Sequence, residues 1–105
     1  ILKMIKKINH RSLPLILMGD FNSIPDSPPV NKIKTDLSDA LQLSLEELQG
    51  PRGTFNGFNA DLSIEKRIDY IFTGNFKVLS YIHINDRLNN NKHISDHLPV
   101  MVKIQ

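Results

Sequence analysis

The chain has 105 residues, of which 40% are hydrophobic and 23% charged, with a formal net charge of +2 and no cysteine. That is material for at most one domain, which standing alone would bury roughly two-thirds of its unfolded surface. Disulfides and thiolate metal sites are excluded, no apolar run reaches membrane-spanning length, and the small net charge does not argue for nucleic acid.

The first residue is Ile1 rather than methionine, so we expect a segment upstream, and the compartment stays open. Ile1, Leu2, Ile5 and Ile8 recur at helical spacing, with Lys3, Lys6 and Lys7 opposite. This predicts the last turns of an amphipathic helix, and Lys3, Lys6, Lys7 and Arg11 read as its wet face. Pro14 then precedes an unbroken apolar run, Leu15 to Met18, closed by Gly19 and followed by Asp20, Phe21 and Asn22. The run predicts a strand buried on both faces. Because residues i and i+2 of extended chain share a face, Asp20 and Asn22 are expected side by side at its end.

Pro25, Pro28 and Pro29 mark a loop. Asp26 or Ser27 is placed to cap a short helix with Pro28 at its first position, running to about Lys34. Asp36 or Ser38 is placed to cap another over Ala40 to Leu48, ended by Gly50 and Pro51. Gly50 to Ser63 reads as loop. Arg67 to Thr73 reads as a strand, with Ile68, Tyr70 and Phe72 on one side and Asp69 and Ile71 on the other. Gly74 and Asn75 suggest a hairpin into a strand over Phe76 to Ile84. Asp86 to Lys92 is loop-like, and Leu98 to Ile104 alternates, with Leu98, Val100, Val102 and Ile104 facing a core. The expectation is four strands and two or three short helices.

Polar groups gather at the strand ends. A carboxylate at Asp69, set among aromatics and isoleucines, must be paired to stay ionised, and His97 in Ser95-Asp96-His97-Leu98-Pro99 is the natural partner. An imidazole so held serves as a proton donor or as a cationic clamp on phosphate. Asp96 beside it is a hard oxygen ligand suited to a divalent metal such as Mg2+. Taken singly, Asp20 and Asn22 also read as turn formers, Asp96 as a cap, and Asp69 as a surface partner of Arg67. Together they point to one composite site. A calcium loop is disfavoured by Pro25, a nucleophile elbow lacks its Gly-x-Ser-x-Gly, and His93 with His97 does not fit a zinc helix next to Pro99. His10 and His83 read as surface histidines.

Gly19-Asp20-Phe21-Asn22, Arg67-Ile68-Asp69-Tyr70 and Ser95-Asp96-His97-Leu98-Pro99-Val100, in this order, resemble the last three motifs of the endonuclease/exonuclease/phosphatase superfamily. The resemblance implies an α/β (α+β) fold, half of a four-layer, DNase I-like sandwich of two sheets with outer helices. Residues 1–105 would be the C-terminal portion of a single such domain. It further implies a phosphoesterase dependent on Mg2+ or Mn2+, hydrolysing a phosphodiester or phosphomonoester by in-line attack of water. By motif, Asp20 would orient or deprotonate that water, and Asn22 would hold the phosphate or the water. His97 would contact a phosphate oxygen, with Asp69 orienting it and keeping it protonated, and Asp96 would sit on the metal or beside it. Thr54, Phe55 and Asn56 fall where relatives place a substrate-side loop: Phe55 or Phe58 would stack on or wall off the group on phosphorus, and Asn56 would hydrogen-bond it. The plainer reading makes the phenylalanines core and Asn56 a turn residue.

The superfamily's N-terminal part, with its early asparagine, metal-binding glutamate and a further Tyr or His, has no counterpart here. The chain alone is therefore expected to bind Mg2+ weakly, to be nearly inactive, and to self-associate through the apolar face of its last strand, which the missing sheet would cover. The alternative is a non-catalytic fragment or interaction module that retains the motifs. DNA, RNA, lipid and small phosphoesters remain as substrates, with nucleic acid the least indicated because the lysines and Arg87 are scattered.

Overall fold

The computed structural model describes residues 1–105. Its elements in chain order are α1 (Leu2–Ile8), β1 (Leu15–Asp20), α2 (Pro28–Ile33), β2 (Ser38–Asp39), α3 (Ala40–Leu43), β3 (Asp69–Gly74), β4 (Val78–His83) and β5 (Val100–Ile104). They form two small sheets, one ordered β1-β3-β2 and the other pairing β4 with β5, all antiparallel.

β3 is the centre of the fold. Its residues from Tyr70 to Thr73 are all buried. Tyr70 and Phe72 point into a cluster with Val30, Ile33 and Leu37, against which Leu15, Leu17 and Phe21 pack. Ile71 points the other way, into a cluster with Ala40, Val78 and Tyr81. Val100, Val102 and Ile104 of β5 close that second cluster, as their alternation predicts. Burying a side chain such as Phe72 is worth about 1.5–3 kcal/mol, so the two clusters carry most of what holds the sheets together.

Several expectations are corrected. The strand buried on both faces is β3, not β1: Leu15 and Leu17 pack inward, but Ile16 is 40% and Met18 69% exposed. No hairpin joins β3 to β4. Asn75 does turn the chain, at φ +64°. By then both edges of β3 are occupied, Gly74 facing Leu15 and Thr73 facing Ser38, so the following strand pairs with β5 instead. The helix expected over Ala40 to Leu48 stops at Leu43. The chain beyond it donates from Leu45, Glu46 and Gln49 to the carbonyls of Val78, Leu79 and Tyr81, because the free edge of β4 offers those residues better partners than another helical turn. The cap of α3 is Asp39, whose carboxylate accepts from the Leu41 N–H, rather than Asp36 or Ser38.

Ser27 precedes α2 with Pro28 at its start, as expected. In α1 only Leu2 and Ile5 are half-buried, while Ile1 and Ile8 of the apolar stripe are exposed. The shape is correspondingly open. The chain exposes 7139 Å², against about 6,000 Å² for a folded monomer of 12.0 kDa, and measures 49 × 27 × 20 Å.

Candidate active site

The register of the central pair places two carboxylates together, since Asp20 at the end of β1 faces Asp69 at the start of β3. Gly19 has φ +152°, and nothing lies within 4 Å of where its Cβ would be, so backbone freedom rather than space is what favours glycine there. After Asp20 the chain leaves the extended conformation. Asn22 has φ +47° and donates its N–H to Asp20 Oδ1 at 2.8 Å. This Asx turn replaces the expected side-by-side projection of Asp20 and Asn22.

His97 enters from the segment before β5. Its Nδ1 lies 2.8 Å from Asp69 Oδ2, and its Nε2 lies 3.9 Å from Asp20 Oδ2. The hydrogen bond it donates to Asp69 raises the His97 pKa above its ordinary 6.5, against the opposing pull of burial, with the charges of Asp69, Asp20 and Asp96 adding in the same direction. With Asp69 as acceptor, Nδ1 carries a proton and Nε2 faces the cleft. Asp20 is half-exposed, Asp69 largely covered and His97 between them, so of the two carboxylates facing the ring Asp20 is the one open to an incoming group.

The loop over residues 53–56 holds these pieces in place. Phe55 bridges Lys66 on one side and His97 on the other, and its ring meets the imidazole edge to face with centroids 5.3 Å apart. Gly53 permits the close approach, because a Cβ there would come within 2.5 Å of Lys66 N. Thr54, expected beside the substrate, is completely buried and has no surface to offer one. Asn56 is 8% exposed; its side chain donates to Ser95 O at 2.9 Å and accepts from Phe58 N at 2.7 Å. Phe55 alone of the three is half-exposed.

Asp20, Asp69 and His97 each present a ligand atom within 4.8 Å of one another, a grouping able to hold a cation. Asp96, the residue expected on the metal, is outside that group. Its carbonyl accepts from Asn56 N at 2.8 Å, and the residue is half-exposed. Two clefts lie at the site. One, about 220 Å³, is lined by Met18, Asp20, Asp69, Ile71 and Val100; the other, about 260 Å³, by His97 together with Ile84, Asp86, His93, Ser95 and Pro99.

Behind the site lies a feature the sequence reading missed. Arg67 is not a surface partner of Asp69 but is buried, forming two 2.6 Å hydrogen bonds with Asp39, its guanidinium 4.4 Å from the centroid of the Tyr70 ring. The signal available was an arginine embedded in an apolar strand segment, which demands a buried counter-charge. His83 is likewise buried rather than superficial, with Nδ1 2.7 Å from Pro51 O. His10 is exposed as expected.

The sequence profile of the Endonuclease/Exonuclease/phosphatase family matches residues 5–97. Among solved structures, the chain resembles a conserved protein of unknown function from Enterococcus faecalis (25% identity, TM-score 0.85), covering 99% of this chain and 42% of that one. It also resembles an endonuclease/exonuclease/phosphatase family protein from Bacteroides thetaiotaomicron (31% identity, TM-score 0.82; 98% and 41% covered). A third is a mannosyl-6-phosphatase from Bacteroides thetaiotaomicron (30% identity, TM-score 0.83; 99% and 42% covered). No curated protein matches the chain. The chain thus spans about two-fifths of the length of the solved proteins it resembles. Matched over residues 5–97 and superposing along nearly its whole length on structures of that fold, the chain belongs to the endonuclease/exonuclease/phosphatase family.

Proposed function

We propose that this chain carries the acid–imidazole part of a divalent-metal-dependent phosphoesterase. The observation that carries the reading is the Asp69–His97 hydrogen bond of 2.8 Å with Asp20 facing the other ring nitrogen. Asp69 favours the imidazolium and fixes its plane, so His97 presents a charged N–H to a phosphate oxygen and stabilises the negative charge that grows there in the transition state. Asp20, with one oxygen already held by the Asn22 N–H, orients or deprotonates the attacking water with the other. Asn22, exposed in the turn, supports the phosphate or that water.

The donor set suits a hard cation. Asp20 and Asp69 supply carboxylate oxygens, Asp96 a third one nearby in sequence, and Mg2+ or Mn2+ accepts such ligands while keeping several waters. When bound, that ion supplies Lewis-acid stabilisation of charge on the phosphate. The mannosyl-6-phosphatase among the similar structures makes sugar phosphates the first phosphomonoesters to try. The test uses the full-length protein with a generic phosphodiester and with sugar phosphates, in Mg2+, in Mn2+ and in EDTA. Turnover lost in EDTA and in H97A supports the assignment. Turnover retained in H97A overturns the role given to His97, and no turnover in any metal overturns the enzyme reading and leaves a non-catalytic module.

A further inference from the structure

Thr54 is completely buried, yet it touches the backbone on both sides of the Asp69–His97 pair. Its hydroxyl oxygen accepts from the Ile68 N–H at 3.1 Å and from the Asp69 N–H at 3.2 Å. Its carbonyl accepts from the Leu98 N–H at 2.7 Å, and its own N–H donates to Lys66 O at 2.9 Å. The strand start bearing Asp69 and the residue after His97 are thus tied to one threonine. A hydroxyl oxygen has two lone pairs, and both are directed to main-chain donors. On the β1 side Ile68 serves as an acceptor, its carbonyl taking the Phe21 N–H at 2.9 Å, while its own N–H turns to Thr54.

We propose that Thr54 is a positioning residue for the Asp69–His97 pair, its hydroxyl setting the height of Asp69 and its carbonyl the height of His97. The proposal rests on the phosphoesterase reading of that pair. Asn56 extends the same support, taking the Asp96 carbonyl with its N–H at 2.8 Å and the Ser95 carbonyl with its side chain at 2.9 Å. The loop therefore acts on chemistry from behind, through main-chain geometry, and only Phe55 reaches the imidazole.

The experiment compares Thr54→Val, Thr54→Ser and Asp69→Asn, singly and as T54V/D69N, in the full-length protein. Valine keeps the shape and removes the acceptor; serine keeps the acceptor. A displacement of this kind should lower kcat about 10-fold to 100-fold with little change in KM. T54S should restore most of it, and T54V should add little in the D69N background. Independently of activity, amide exchange at Ile68 and Asp69 should accelerate in T54V and return in T54S. Unchanged kcat and exchange in folded T54V overturns the proposal, as does equal loss in T54S. A T54V variant that fails to fold also overturns it, by making the hydroxyl a support of the whole fold. Failure of the parent reading is seen separately, as D69N protein as active as the wild type or wild-type protein without turnover, and it removes the proposal with it.

Discussion

Arg67 and Asp39 form a two-pronged ion pair that is almost wholly buried, at 5% and 3% exposure, and it joins the start of β3 to the cap of α3. Burial opposes the Arg67 charge, but the hydrogen bonds and charge of Asp39 outweigh it and leave the pKa raised. Removing one member of such a pair strands the other charge in a dry interior. Arg67→Met should therefore cost about 3–5 kcal/mol of unfolding free energy. Arg67→Lys, keeping charge but losing the fork and the flat contact over Tyr70, should fall between. Urea unfolding of the full-length variants checks this, and a loss below about 1 kcal/mol for R67M would place the pair among surface contacts.

The raised pKa of His97, caused first by its hydrogen bond to Asp69, has a definite sign in pH. The charged ring is present below its folded pKa, so activity that needs it should decline on the alkaline side, above the ordinary value of about 6.5. Asp69→Asn should move that decline to lower pH, and His97→Ala should lower kcat about 10²–10⁴-fold. The stability contributed by the pair is fully present below about pH 6.5 and is lost as pH rises through the folded pKa. D69N should thus destabilise more at about pH 6 than at about pH 9. A pH–rate profile identical in D69N and wild type would detach Asp69 from His97.

How much of this was legible in the residues depends on whether a cause is local. Gly19 ending an apolar run, and a carboxylate within Ile68 to Phe72, are local signals, and they mark Asp20 and Asp69. The identity of the doubly buried strand was not local: the four apolar residues of β1 have one face uncovered, whereas β3 is covered by helix α2 on one side and by β4 and β5 on the other. Asp39, the partner of Arg67, stands in no motif that marks it, whereas His97, also 28 residues from its partner Asp69, does. Thr54 and Asn56 carry only loop-like neighbours, and a loop whose polar side chains are buried has the same composition as one that is exposed.

His83 should make the protein acid-sensitive. Burial lowers its pKa in the folded state, against the raising effect of the Pro51 carbonyl, and its Nε2 has no partner. A lowered histidine pKa contributes stability above the unfolded value of about 6.5, and that contribution is lost as pH falls through the folded value. His93 is shifted the same way, again by burial first. Thermal unfolding midpoints should drop between about pH 7.5 and about pH 5, and His83→Gln should flatten that slope. A slope unchanged in H83Q would assign the acid sensitivity elsewhere.

The apolar row left open on β1 should govern how residues 1–105 behave when produced alone. Ile16 and Met18 are two apart on one strand and therefore share a face, with 40% and 69% of their surfaces exposed. The sequence reading had expected the uncovered face at β5, but Val100, Val102 and Ile104 pack against Ile71, Val78 and Tyr81. Exposed apolar rows next to a sheet favour self-association, and a charge on that row opposes it. Sedimentation velocity of the 105-residue chain should show concentration-dependent association, and Met18→Lys should shift it toward monomer. A chain that is monomeric at all concentrations, or an M18K variant that associates as strongly as the parent, would show that the open face of β1 does not drive contacts between copies.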